Sequence, residues 1–254
     1  MINLVLLGSG NVATHLYKAL SASQRVKVIQ VYNHASGSLQ PFKKETPVTT
    51  SFSEIMEADI YLLALKDDVI PQVSEKLSKK QGLVVHTSGA VALNGLLPNR
   101  RRGVFYPLQT FSKEKEVNYS EIPFCLEAND EEDLDLLKSL ARDISGKAYE
   151  ISSQQRKKLH LSAVFVCNFV NHMYSIGEKI CRDNKIPFEI LQPLIKETAE
   201  KIKTASPREM QTGPAIRGDQ STIDAHLDLL VSSENKQIYQ LLTSAIQTFH
   251  GKKL

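Results

Sequence analysis

Between Met1 and Ile151 the apolar positions fall in short β-branched or leucine-rich runs, separated by stretches whose apolar residues recur every three or four positions. That alternation is expected of strands joined through crossover helices into a mostly parallel sheet. It predicts strands at Leu4-Leu7, Val28-Tyr32, Ile60-Leu65, Leu83-His86, Val104-Tyr106, Phe124-Leu126 and Ala148-Ile151, and a weaker one near Val48. Helices are expected at Val12-Leu20, Ser53-Ala58, Val69-Lys79 and Glu131-Ile144, with Pro71 tolerated because it falls in a first turn.

Beyond Ile151 only the helical period remains, through Leu159-Ile180, Phe188-Thr204, Ile223-Leu230 and Ile238-Phe249. The expected architecture is therefore an α/β domain over residues 1–151 followed by an all-α domain over residues 152–254. No Gly-, Ser- or Pro-rich linker separates them, so close packing and a ligand cleft between them are expected.

The first predicted strand runs into Gly8-Ser9-Gly10-Asn11-Val12-Ala13 and then into an apolar-periodic helix. This strand, G-x-G-x-x-A turn and helix, in that order, form the dinucleotide-binding fingerprint of a Rossmann-type domain. Gly8 permits the tight turn, Gly10 lets the backbone approach a pyrophosphate, and Ala13 lets helix and strand pack closely. Helix-end N–H groups at Asn11 and Val12 face the phosphates, beside Ser9.

The second strand ends in Tyr32-Asn33-His34-Ala35-Ser36, without the carboxylate that usually holds the ribose hydroxyls of NAD. Asn33, His34 and Ser36 can donate to a 2′-phosphate, with Lys43 or Lys44 in reach. NADP is therefore favoured as the cofactor, with NAD possible.

Residues at the carboxyl ends of later strands belong near such a cofactor. They are Leu65-Lys66 after the Ile60 strand, His86-Thr87-Ser88-Gly89, and Gln109-Thr110 after Tyr106-Pro107. Thr87, Ser88 and Gly89 also read as an ordinary turn and cap, and Asp67 and Asp68 as charges facing a helix dipole. On the first long helix Lys157, His160, Val164, Asn168 and Asn171 recur at spacings of three and four, a polar stripe among apolar neighbours. His160 or Lys157 is the candidate proton carrier, and Asn168 and Ser88 are candidates to orient a substrate. Arg217, in Thr212-Gly213-Pro214-Ala215-Ile216-Arg217-Gly218-Asp219, is a candidate clamp for an anion or equally a surface arginine in a rigid turn. Ser221 and Asp224 resemble a capping pair for the helix that follows.

Composition narrows the setting. A 254-residue chain with 42% hydrophobic residues can bury a core without a disulfide or metal. A net charge of +3 on scattered basic residues argues against nucleic acid or a membrane surface as partner. Cys125, Cys167 and Cys181 are odd in number and lack C-x-x-C spacing, so no disulfide framework or metal site is expected, and a cytoplasmic setting is. Apolar runs fall far short of the roughly 20 residues that cross a bilayer, and no secretory signal pattern is seen.

Together these motifs resemble a family of Rossmann-type NADP oxidoreductases with a C-terminal helical domain of unknown function. The likeness rests on the glycine turn, His86-Thr87-Ser88-Gly89, Pro107-Leu108-Gln109-Thr110-Phe111, His160-Leu161-Ser162-Ala163 with Asn168, and Thr212-Gly213-Pro214 with Arg217-Gly218-Asp219. More distantly it is similar to pyrroline-5-carboxylate reductase, β-hydroxyacid dehydrogenases and deazaflavin-dependent NADP reductases. The resemblance implies a nicotinamide cofactor and a homodimer through the helical domain. Relatives often carry His-Pro where this chain has Tyr106-Pro107, so that histidine's role does not transfer. The expected activity is hydride transfer between the nicotinamide and a small carbonyl or imine substrate in the cleft. A non-catalytic NADP sensor is the alternative, and a methyltransferase a more distant third.

Overall fold

The computed structural model describes residues 1–251. The chain divides into two compact units, Met1–Asn168 and Phe169–Leu254. Residues 252–254, the end of the expected helical domain, lie outside the described residues.

In the first unit the strands are β1 (Ile2–Leu7), β2 (Val26–Tyr32), β3 (Val48–Thr49), β4 (Ile60–Leu63), β5 (Leu83–His86), β6 (Arg102–Pro107), β7 (Phe124–Ala128) and β8 (Ala148–Glu150). They form one sheet in the order β3-β2-β1-β4-β5-β6-β7-β8. Every pairing is parallel except β6 with β7, where Phe105 lies opposite Leu126. The helices joining them are α1 (Asn11–Ser21), α2 (Ile70–Lys76) and α3 (Glu131–Ile144), with α4 (Ser153–Ala163) following β8. This is the Rossmann-type arrangement that the fingerprint predicts.

Both faces of the central strands are covered, which is why their sequences are continuously apolar rather than alternating. Leu4, Val5, Leu6 and Leu7 are all fully buried. Leu4 and Leu6 pack with Leu16 and Leu20 of α1 and Leu137 and Leu140 of α3, whereas Val5 and Leu7 pack with Ile70, Val73 and Leu77 at α2. The chain leaves β1 for β2 on one side and reaches β4 on the other. That reversal opens a crevice at the carboxyl ends of β1 and β4, where such sheets bind ligands.

The helix expected at Ser53-Ala58 is instead a single 3-10 turn, Phe52–Glu54. Side chains capture the backbone groups that a helix would need. Gln30 Nε2 donates to the Glu54 carbonyl at 3.0 Å, and the Met56 N–H donates to Gln30 Oε1 at 2.9 Å. The Tyr61 hydroxyl donates to the Met56 carbonyl and accepts from the Ala58 N–H.

The helix placed at Leu159-Ile180 begins earlier, at Ser153, behind a capping box between Ser152 and Gln155. A π-helical segment, Val164–Phe169, interrupts it before α5 (Val170–Asp183). The remaining helices of the second unit are α6 (Gln192–Lys201), α7 (Pro214–Arg217), α8 (Gln220–Leu229) and α9 (Ser233–His250). The Gly213-Pro214 loop thus holds a short helix, and Asp219, not Ser221, caps α8 by accepting from the Thr222 N–H. No helix among the described residues is long and apolar enough to cross a membrane.

Candidate functional site

Within the first unit a cavity of about 860 Å³ opens at the carboxyl ends of β1, β4 and β5. Its floor is the turn from Gly8 to Val12. Gly8 has φ +123°, and a Cβ there would meet the Ala64 carbonyl oxygen at 2.2 Å, so glycine is required by both conformation and space. Gly10 differs, since a Cβ on it would project into open space, which leaves room for a ligand. No side chain caps α1 and no acidic residue sits in its first turn. Its N-terminal N–H groups are therefore available to an anion, and the residues present fit the pyrophosphate of a dinucleotide.

At the end of β2, Asn33 and His34 line the cavity and Ser36 does not. The 3-10 turn Ser36–Leu39 carries Ser38 to the wall in its place. Ser38 Oγ accepts from Ser9 Oγ at 2.8 Å and Asn33 Nδ2 at 2.7 Å, and donates to the Ala35 carbonyl at 2.7 Å. These hydroxyl and amide groups form a polar, carboxylate-free corner beside the glycine turn. Asn11 Nδ2 donates to the Phe111 carbonyl at 2.9 Å, tying the loop after β6 to the start of α1.

The opposite wall comes from the β4 and β5 ends. Leu65 and Lys66 line it, and so do Asp67 and Asp68. These carboxylates precede Val69, the N-cap of α2, and the first turn of that helix holds no acidic residue. Thr87, Ser88 and Gly89 also face the cavity. Ser88 Oγ accepts from the Ala90 and Val91 N–H groups at 3.0 Å each, which is turn chemistry, and this leaves the hydroxyl proton free to be donated. His86 lies beneath the wall, fully buried, with Nδ1 accepting from the Ser88 N–H at 3.1 Å. Burial, reinforced by the charge of Arg156, drops its pKa from 6.5 to about 3, so it is a neutral prop for the loop.

Tyr106 and His160 close the far end. The Tyr106 hydroxyl lies 3.0 Å from His160 Nδ1, with the rings edge to face, and both side chains line the cavity with Gln109. Burial pushes the Tyr106 hydroxyl up to about 12, which keeps it protonated at neutral pH. Gly89 makes room for the pair, because a Cβ there would stand 2.7 Å from His160 Nδ1 and 2.9 Å from Tyr106 Cζ.

The other candidates lie elsewhere. Lys157 is exposed and outside the cavity wall, and Asn168 is exposed on the π-helical segment. That segment has a wider turn than an α-helix, so the spacing that aligned Asn168 with His160 no longer holds. Arg217 ends α7 in the second unit, largely exposed and 3.8 Å from Asp219. Of the cavity residues, Ser38 had no assigned role in the sequence, and Gly89 was read there only as part of a turn at a strand's carboxyl end. Tyr106 was visible there only as a departure from His-Pro.

Comparison with known proteins places the chain. Residues 3–89 match the family described as NADP oxidoreductase, coenzyme F420-dependent, and residues 122–246 match a domain of unknown function, DUF2520. A Bacteroides fragilis protein of known structure, described as a putative NADP oxidoreductase, is 39% identical, with a TM-score of 0.91 over 99% of this chain and 98% of that one. The chain belongs to this NADP oxidoreductase family. Its cofactor is accordingly NADP, with NAD possible. A pyrroline-5-carboxylate reductase from Streptococcus pyogenes shares the fold at 14% identity, with a TM-score of 0.64 over 97% of this chain and 98% of its own. An imine reductase from Myxococcus stipitatus, solved with NAD+, does so at 15% identity, with a TM-score of 0.60 over 99% and 96%. No curated protein matches the chain.

Two outcomes follow for this NADP oxidoreductase family member. Gly10→Val is expected to keep the wild-type melting temperature and weaken NADPH binding by roughly 100-fold, the worth of one or two charge-assisted hydrogen bonds. Calorimetric titration checks it, and unchanged affinity would remove the glycine turn as the phosphate site. His86 has a depressed folded pKa, so its contribution to stability is present above pH 6.5 and is lost as pH falls toward about 3. Between those limits wild type should lose about 1.4 kcal/mol per pH unit more than His86→Gln in urea denaturation. Equal pH slopes would show that His86 is not held neutral.

Proposed function

We propose that the chain transfers hydride between NADP and a small substrate containing a C=O or C=N bond, the imine being the better fit. What supports this is the 3.0 Å contact between Tyr106 and His160 in the same cavity as Thr87, Ser88 and Gly89. Two proteins of the same fold bear the names of an imine reductase and a pyrroline-5-carboxylate reductase.

When bound, the nicotinamide supplies or accepts the hydride at the substrate carbon. The residues have to handle the proton. In reduction the oxygen or nitrogen gains a proton as the carbon gains hydride, and the Tyr106–His160 pair is hydrogen-bonded to deliver it and to be reprotonated from solvent through the imidazole. Ser88, with its hydroxyl proton free, can orient the same heteroatom. Lys157 has no place in this scheme because its side chain faces solvent. The free thiols of Cys125, Cys167 and Cys181 support a reducing, cytoplasmic setting.

A homodimer through the helical unit belongs to the same proposal. Among its described residues that unit buries only Cys181, Ala215 and Ile223, while Leu229, Leu241 and Val231 are 79%, 71% and 99% exposed. Apolar exposure on that scale is what a partner surface covers. Sedimentation equilibrium should give twice the 28.4 kDa chain mass, and a monomer at micromolar concentration would oppose it.

Activity is tested by screening cyclic imines, oxo acids and simple carbonyls for NADPH oxidation. Turnover is expected with an imine. His160→Gln should lower kcat by roughly 100-fold or more while NADPH affinity stays unchanged. Full activity in that variant would defeat the proton scheme. Tight NADPH binding with no turnover on any compound would leave a cofactor-binding sensor instead.

A further inference from the structure

Arg156 precedes His160 by four residues, so the two share one face of α4 a turn apart. It is fully buried, and its guanidinium forks between two other parts of the unit. One nitrogen donates to Glu127 Oε2 on β7. Another donates to the Val91 carbonyl at 2.6 Å, in the loop after β5, and to Ser153 Oγ at 3.3 Å. Ser153 completes the joint by donating to Glu127 Oε2 at 2.7 Å and accepting from the Leu93 N–H at 2.9 Å.

A buried ion pair is a poor source of stability, because desolvation of both charges offsets their attraction and an apolar pair of similar size often serves as well. What the pair does provide is register. The segment after β5 touches α4 at three points, through Leu93 on Ser153, through Val91 on Arg156 and through Gly89 against the His160 ring. A small rotation of α4 would therefore either drive His160 into Gly89 or withdraw it from Tyr106. The Arg156 charge also reaches Tyr106 and His86, acting to lower the pKa of each.

We propose that Arg156, clamped by Glu127 and Ser153, is a positioning residue that locks α4 to the loop after β5 and so holds His160 Nδ1 on the Tyr106 hydroxyl. Its importance for turnover rests on the function proposed above. The positioning itself does not.

The test uses the full chain without cofactor and follows the His160 ring nitrogen resonances, assigned with His160→Gln. Tyr106→Phe supplies the reference spectrum for a lost contact. The double variant Arg156→Met with Glu127→Gln removes both charges together and leaves neither buried ion unpaired. It should unfold cooperatively, show the His160 Nδ1 resonance at the Tyr106→Phe position, and lose about tenfold or more in kcat with the NADPH KM within about twofold. A folded double variant that keeps the wild-type resonance would overturn the proposal, as would a fall in kcat that only tracks the loss of folded protein.

Should the double variant fail to fold, Glu127→Gln alone carries the same comparison, since it keeps the shape and weakens only the clamp. Arg156→Lys retains the charge without the fork and should not restore the resonance. Complete rescue by lysine would assign the effect to charge and overturn the geometric role. Absence of turnover in wild type would defeat the proposed function and leave the resonance comparison valid.

Discussion

A side chain on Gly8 would lie 2.2 Å from the Ala64 carbonyl oxygen, in a backbone conformation that L-residues rarely adopt. This close approach exists because β1 and β4 are neighbours, and the chain between them is fixed on both sides. The Gly8 N–H donates to the Tyr32 carbonyl of β2, and the Ala64 N–H donates to the Leu7 carbonyl of β1, each at 2.8 Å. Beyond those bonds α1 starts at Asn11, with no side chain capping its N-terminus. The open helix start that fits a phosphate is thus a product of strand packing and not an addition to it. Every group on the cavity wall is placed relative to that turn.

The strands and the glycine turn were legible because they are set by local pattern. Continuous burial of Leu4–Leu7 and Ile60–Leu63 writes itself into the sequence as apolar runs, and Leu83–His86 and Glu131–Ile144 fall where the pattern puts them. What the pattern does not carry is tertiary capture of a backbone by side chains. Gln30 is distant in sequence from the Ser53-Ala58 stretch whose helix it prevents. The π-helical segment is likewise silent, since its Val, Phe, Cys and Asn residues are weak helix formers of either kind and only the pairing of their backbone groups distinguishes a π turn.

The same limit applies to the site. Periodicity picked out His160 and then counted from Lys157, whereas the residue one turn below His160 is Arg156, which looks like a surface arginine until its partners on β7 and the β5 loop are known. Tyr106 was conspicuous only as a departure from His-Pro. Its hydroxyl meets an imidazole from another element, so the contact proposed to carry the proton is a property of the pair rather than of either motif. Gly89, readable as a turn residue, is small because two rings need its space. The glycine-turn end of the cavity was therefore readable in outline, whereas at the other end His160 and Ser88 were readable singly and their meeting with Tyr106 was not, because these groups come from three separate segments.

The central claim is that one cavity holds NADP on the Gly8–Val12 turn and presents the nicotinamide to Tyr106 and His160. A crystal structure with NADP+ bound tests this most directly. It should show the pyrophosphate over the start of α1 and nicotinamide C4 facing the space between Thr87–Gly89 and the Tyr106 hydroxyl. A nicotinamide ordered on the far side of the β4 loop, away from Tyr106 and His160, would contradict it.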